Sequence, residues 1–225
     1  MRHLITGAGS GIGAVLAETL CARGDELVLL ARSAERAGEL EASYAGARTV
    51  VADLADPASV EGLDLPDRLD SVVHAAGVVD LGPVSELGSA SWQHQLSVNL
   101  VAPAALTRVA LPALRAARGT VVLVNSGAGL NAHPQWSAYA ASKHGLKAFA
   151  DSLRGEESGH GVRVSSIYPG RTATAMQEKV HEQEGRTYDA ADWIDPATVA
   201  AAIVHVLDLP RDATISDLTV RPGPR

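Results

Sequence analysis

A phenol and an ammonium stand four residues apart in Tyr139-Ala140-Ala141-Ser142-Lys143. In a helix that spacing puts both on one face, a single turn apart. A free tyrosine titrates near 10 and is a poor base at neutral pH, but a nearby cation favours its phenolate. Lowering it by about 3 units takes roughly 4 kcal/mol of differential stabilisation. Two close cations, the lysine and an oxidised nicotinamide, can supply that. Taken alone, the spacing fits an ordinary helix-surface pair better.

Two further polar residues precede it. Ser126 follows the apolar run Thr120 to Val124, at the carboxyl end of an expected strand, where open α/β sheets bind ligands. Its hydroxyl can hydrogen-bond a substrate oxygen as negative charge develops; a helix or loop cap is the plainer role. Asn99 falls inside an expected long helix, where propensity disfavours it. A specific partner, or a bent helix, accounts for it.

The chain opens with Thr6-Gly7-Ala8-Gly9-Ser10-Gly11-Ile12-Gly13 between an expected strand and an expected helix. Glycines there let the backbone turn tightly and approach a pyrophosphate, which the free N–H groups of the helix N-terminus stabilise. Gly9, Gly11 and Ala14 match a G-x-G-x-x-A string, weak evidence without that context. About 20 residues further on, an Asp or Glu would accept from the adenosine ribose of NAD. This chain has Ala31-Arg32-Ser33 instead. With no carboxylate to repel a 2′-phosphate, Arg32 can pair with one. NADP(H) is the expected cofactor, with NAD(H) possible, and a solvated Arg32 is the alternative.

These residues need a scaffold. Short Val/Leu/Ile runs (Leu4-Ile5, Leu27–Leu30, Thr49–Val51, Ser71–Val73, Thr120–Val124, Val162–Ile167 and Ile215–Val220) alternate with helical stretches near 11–23, 33–43, 56–63, 89–117, 136–158 and 196–208. Several runs are apolar almost throughout, as in strands covered on both faces. The alternation predicts an α/β fold, a Rossmann-type doubly wound parallel sheet of about seven strands with helices on both faces. No linker or repeat divides residues 1–225, so one domain is expected. The polar segment 172–195 breaks the rhythm, and reads as an irregular substrate loop or a solvated excursion.

Composition narrows the partners. A formal net charge of −7 argues against nucleic acid and anionic membranes. No apolar run reaches the roughly 18 residues of a spanning helix. The glycine turn follows Met1-Arg2-His3-Leu4-Ile5 too soon for a signal core. Cys21, the only cysteine, excludes an intrachain disulfide and a cysteine metal cluster. A cytoplasmic protein with no metal is the expectation.

Together these features resemble the short-chain dehydrogenase/reductase family over nearly the whole chain. Thr6, Gly7, Gly11, Ile12 and Gly13 match its cofactor fingerprint, in which Ser10 also falls. Asp53-Leu54 looks like the pair that holds the adenine, and His74-Ala75-Ala76-Gly77 resembles the family's Asn-Asn-Ala-Gly turn. Asn99, Ser126, Tyr139 and Lys143 occur in the order of its catalytic tetrad. Pro169-Gly170 with Thr174 looks like the segment contacting the nicotinamide carboxamide. Two departures stand out: His74 and Ala75 replace the asparagines, and Thr172 replaces a branched aliphatic residue.

The resemblance implies an NADP(H)-dependent oxidoreductase that interconverts an alcohol and a ketone or aldehyde. Tyr139 acts as general acid/base, Lys143 lowers its pKa and bonds the nicotinamide ribose, Ser126 orients the substrate oxygen, and Asn99 holds a water in the proton relay. It also implies a homodimer or homotetramer through the long helices, whose small residues (Ala102, Ala104, Ala105, Ala138, Ala140, Ala141) could equally face the sheet. An NADP(H)-sensing regulatory protein and a non-redox relative such as an epimerase are the competing readings. For the substrate, Trp136 is a candidate pocket wall, with His133, Gln135, Met176 and Trp193 weaker candidates. Arg171 and His181 are possible anion contacts, with solvation their default.

Overall fold

The computed structural model describes residues 1–223. Seven strands, β1 (Arg2–Thr6), β2 (Glu26–Ala31), β3 (Arg48–Val51), β4 (Ser71–His74), β5 (Thr120–Val124), β6 (Arg163–Pro169) and β7 (Asp217–Val220), form one sheet in the order β3-β2-β1-β4-β5-β6-β7. Every pairing is parallel. The order reverses between β1 and β4, so crossovers on either side of that point run to opposite faces and a crevice opens beyond the carboxyl edge.

Side-chain alternation divides the apolar runs between two cores. Ile5, Leu29, Val73, Val122 and Ile167 pack on one face against Leu16 and Leu20 of helix α1 (Gly11–Ala22), Leu40 of α2 (Ala34–Ser43), and Val199 and Ile203 of α7 (Pro196–Leu207). On the other face, Leu4, Val28, Val72, Val121 and Val164 meet Leu106 and Leu114 of α4 (Ala102–Ala117), and Leu146 and Leu153 of α5 (Ser137–Glu157). Burial on both faces is why these strands are apolar throughout.

Four sequence expectations need correction. The stretch near 56–63 is a single 3₁₀ turn, Pro57–Val60, capped by the Asp56 carboxylate. The run 89–117 is not one regular helix: α3 (Ser89–Leu96) passes through a π-helical turn, Ser97–Val101, into α4. Residues 172–195 hold a ten-residue helix, α6 (Ala175–Glu184), N-capped by Thr174 and ended by Gly185 at φ +66°. Its lack of an apolar stripe, with Val180 alone among its buried residues apolar, hid it. Finally, Ser89–Ala117 is long and apolar enough to span a bilayer by length and composition. Here Leu106, Ala110 and Leu114 turn that run against the sheet. Of the small residues expected to face either sheet or partner, Ala102, Ala138 and Ala140 are buried, while Ala141 is exposed.

His74 at the end of β4 is completely buried, with Nε2 2.9 Å from Thr107 Oγ1. Burial pulls its pKa down to about 3, so the folded protein keeps it neutral while the unfolded chain protonates near 6.5. The unfolded state then binds the extra proton between those values. Its contribution to stability is present above pH 6.5 and lost as pH falls toward 3. Denaturant titrations of His74→Asn against the parent should show a shallower acid limb between pH 6 and 4, by up to about 1.4 kcal/mol per pH unit.

Candidate active site

A cleft of about 910 Å³ lies beyond the carboxyl edge of the sheet. Its floor begins with the glycine turn. Gly7 and Gly11 hold φ of +74° and +53°, which side chains rarely adopt. A Cβ on Gly7 would sit 2.7 Å from Ala76 N, and one on Gly13 would strike Gly7 O, so the turn can nest against β4's exit only without side chains. Thr6 Oγ1 accepts from Ala76 N at 3.1 Å, locking strand to loop. Ser10 precedes α1 with no side-chain cap bond. The start of α1 at Ser10, Gly11 and Ile12 therefore lines the cleft with its first-turn N–H groups free of a side-chain cap, as a helix N-terminus that binds phosphate is.

Deeper in the cleft stand Tyr139 and Lys143, 6% and 3% exposed. Lys143 Nζ donates to Val124 O at 3.0 Å and lies 5.8 Å from the Tyr139 ring centroid. Burial without a carboxylate partner brings its pKa down to about 8. Burial also raises the Tyr139 phenol above its ordinary value, and a side-chain hydrogen bond with Ser126 opposes that rise. In the protein by itself desolvation outweighs that hydrogen bond; the expected acidification rests on two cations, Lys143 and an oxidised nicotinamide. Ser126 Oγ accepts from Ala128 N at 3.1 Å, so the cap role and the position beside Tyr139 coexist.

Asn99 sits in the π-helical turn, 1% exposed. Its Oδ1 accepts from Val78 N at 2.9 Å, and Nδ2 donates to Val78 O at 2.9 Å and Ser142 Oγ at 3.0 Å. Both explanations of a mid-helix asparagine hold at once, a specific partner and an irregular helix. Ser142 Oγ donates in turn to Tyr139 O at 2.7 Å. Asn99 therefore joins the loop after β4 to the helix carrying Tyr139.

The remaining expected residues divide into two groups. Ile12, Ala75, Ala76, Gly77, Pro169, Gly170, Thr172 and Thr174 line the same cleft as Ser126, Tyr139 and Lys143. Thr172 Oγ1 donates to Gly170 O at 3.0 Å, and its backbone bridges Ile194. Arg32, Ser33, Asp53 and Leu54 lie outside the cleft walls, at the ends of β2 and β3. Arg32 is exposed with no ion pair among the described residues. Ser33 caps α2 by accepting from Arg36 N at 3.2 Å, Asp53 Oδ1 accepts from Ala55 N at 2.9 Å, and Leu54 packs on the core.

Trp136, His133, Gln135, Met176 and Trp193 line the cleft's other end, where Trp136 meets Tyr139 edge to face at 5.7 Å. His181 is not among them. It is buried under α6, bonded through Nδ1 to Gln177 O at 2.8 Å and packed on Tyr188 and Trp193. Arg171 is paired rather than solvated, with both terminal nitrogens on Glu184 at 2.9 and 2.7 Å.

Three positioning residues escaped the sequence reading. Asn125 is buried; its Nδ2 donates to Lys143 O at 3.1 Å and its Oδ1 accepts from Ser126 N at 2.8 Å. It fixes Ser126 and Lys143 relative to each other. Its neighbour's position after the strand was the signal available. Lys179 and Gln183 tie α6 across the cleft, with Nζ to Val79 O at 2.9 Å, Oε1 from Leu81 N at 3.1 Å and Nε2 to Asp80 Oδ1 at 3.1 Å. Nothing in a polar helix face marks such bonds beforehand.

A doubly wound sheet with a glycine-turn anion cradle at its switch point and a buried Tyr/Lys pair beside it defines a dinucleotide-binding α/β protein. The model of the short chain dehydrogenase family matches residues 2–185. The chain belongs to that family. It is 31% identical to an uncharacterized short-chain type dehydrogenase/reductase of Sinorhizobium fredii, over 97% of this chain and 90% of that one. It is 35% identical to the bovine (Bos taurus) dehydrogenase/reductase SDR family member 7B over 84% of this chain, spanning 63% of that protein's length. Among solved structures, a putative NAD(P) dependent gluconate 5-dehydrogenase from Beutenbergia cavernae with bound NADP matches at TM-score 0.83 and 30% identity, covering 97% and 94% of the two chains.

Lys143 loses its charge as pH rises through about 8, and with it the attraction for a developing phenolate. For the oxidoreductase reaction, kcat/KM in the free enzyme should fall above that pH. Lys143→Arg, which stays charged, should move the alkaline limb upward by a unit or more; an unmoved limb would assign it elsewhere.

Proposed function

We propose that the protein is an NADPH-dependent carbonyl reductase, or the corresponding alcohol dehydrogenase in reverse, with Tyr139 as general acid/base. The observation that carries this reading is a buried phenol with the Ser126 hydroxyl on one side and the Lys143 ammonium on the other, opening on the cleft that begins at the glycine turn. Gly7 and Gly13 let the turn pack directly on neighbouring backbone, and Ser10 leaves the first N–H groups of α1 without a side-chain cap, an arrangement that fits a dinucleotide's phosphates. When bound, the reduced nicotinamide supplies a hydride to the carbonyl carbon and is itself oxidised.

The chain's own residues manage the oxygen. The Ser126 hydroxyl orients the carbonyl oxygen and stabilises charge growing on it. Tyr139 releases its phenolic proton to the forming alkoxide, or as phenolate takes the proton back in the oxidative direction. Burial makes that phenolate costly, and the Lys143 charge, held on Val124 O, offsets part of the cost. Asn99 braces the Tyr139 helix through Ser142.

The NADP(H) preference rests on Arg32, exposed and without a carboxylate at the end of β2. Bound NADP in the Beutenbergia relative supports a nicotinamide dinucleotide in this fold. A homodimer or homotetramer through the long helices is the assembly we propose from family membership.

Tyr139→Phe should retain NADPH binding and lose carbonyl reduction by about 100-fold or more; turnover within a few-fold of the parent contradicts the assignment. Arg32→Leu should weaken NADPH by about ten- to hundredfold, the range for hydrogen bonds to a charged group, and leave NADH unchanged in fluorescence titration. Equal losses for both cofactors would remove Arg32 from phosphate recognition. Conversion of substrate without net NADPH oxidation would point to an epimerase, and binding without any turnover to a sensor.

A further inference from the structure

The end of the cleft remote from the glycine turn carries charge that proton transfer at Tyr139 does not use. Lys143, Arg171, Arg186 and Arg221 line the cleft, against Glu184 as its one acidic residue among those described, in a chain of formal net charge −7. Arg171 is the best-placed of the outer cations. Its Cζ lies 6.0 Å from the Trp136 ring centroid and 5.4 Å from that of Trp193. Trp136 in turn touches Tyr139. One indole ring therefore separates the guanidinium from the proton-transfer phenol.

Glu184 does not cancel this charge. Its carboxylate takes one N–H from each terminal nitrogen of Arg171, at 2.9 and 2.7 Å, and lies 3.9 Å from Arg186 Nη1. Two guanidiniums share one carboxylate, leaving one net positive charge. The Nε–H of Arg171 and its two remaining N–H groups have no partner among the described residues. The bidentate bond and the two indoles fix the guanidinium plane, with its side chain 27% exposed and that of Glu184 14%. A planar fork held rigid, partly desolvated and with free donors is an arrangement suited to a carboxylate.

We propose that the substrate carries a carboxylate that binds Arg171, with Arg186 at the outer rim, while its carbonyl faces Ser126 and Tyr139. The substrate class is thus an oxo acid in reduction and a hydroxy acid in oxidation. This deepens the carbonyl-reductase reading and rests on it for the carbonyl end alone.

The probes are 4-oxopentanoate and 5-oxohexanoate, each against its methyl ester, with the full chain and NADPH. The acids should be reduced with kcat/KM about ten- to hundredfold above their esters, the difference lying mainly in KM. Arg171→Gln combined with Glu184→Gln removes both charges together and leaves no lone buried ion; in that variant the acid:ester ratio should fall to near one while ester reduction persists. Arg171→Lys, keeping charge but not the fork, should give an intermediate ratio. Tryptophan fluorescence with NADP⁺ present reads binding without turnover, and the acids alone should give saturable quenching that the double variant loses. Equal acid and ester turnover, or acid preference intact in the double variant, overturns the proposal and leaves the reductase reading standing. Acid-selective quenching with no reduction of any probe sinks the reductase reading and keeps the carboxylate site. No acid-selective quenching and no acid-selective turnover overturns it outright.

Discussion

A buried ammonium that has no carboxylate to neutralise it is the constraint around which this molecule is organised. Lys143 is nine-tenths and more out of water, and its visible partner is a single carbonyl, Val124 O, at the end of the interior strand β5. Burying a charge on those terms is unfavourable, and its lowered pKa expresses that cost. The surrounding parts keep the group in place despite the cost. Asn125 bonds the Lys143 carbonyl from the same strand end, and Asn99 with Ser142 braces the helix from the opposite side. Gly77 leaves room for the Asn99 side chain, since a Cβ there would stand 3.3 Å from Asn99 Oδ1.

The rest of the fold follows from where that helix must sit. β5 ends at the site because it pairs with β4 on one side and β6 on the other, which bring Gly77 and Gly170 to the same edge. α6 then closes the far wall through Lys179 and Gln183, placing Met176 and Val180 over the cleft. Stiff, doubly covered strands supply the precision, and polar side chains reaching backbone atoms supply the joints between segments.

Much of this was legible in the residues. Several of the apolar runs showed little alternation, and the interior strands β1, β2, β4, β5 and β6 are indeed buried on both faces, while the edge strands β3 and β7 are partly exposed. The glycine turn and the order Asn99, Ser126, Tyr139, Lys143 marked the cleft, because each lies at a strand end or on a helix face whose position the topology fixes. What stayed hidden depends on pairing at a distance. α6 has no apolar stripe; contacts made 100 residues away hold it, as with Lys179 on Val79 O. Arg171 looked solvated because its partner Glu184 is 13 residues on, across an unpredicted helix. The short 3₁₀ turn at Pro57–Val60 read as a helix because its proline and capping Asp56 also start helices. That burial raises the Tyr139 phenol could not be read from an i,i+4 spacing.

The π-helical turn at Ser97–Val101 has a geometric effect beyond seating Asn99. One extra residue in a turn rotates everything after it by about 100° about the helix axis. The face that α3 presents is therefore not continued by α4: Gln95 looks toward the loop at Asp80, while Leu106, Ala110 and Leu114 look onto the sheet. A single rod of chain acts as two differently aimed surfaces, one polar and one apolar. Deleting any residue between 97 and 101 would put the two halves in phase and force one of those surfaces to face the wrong neighbour, so the length of this segment is as constrained as its composition.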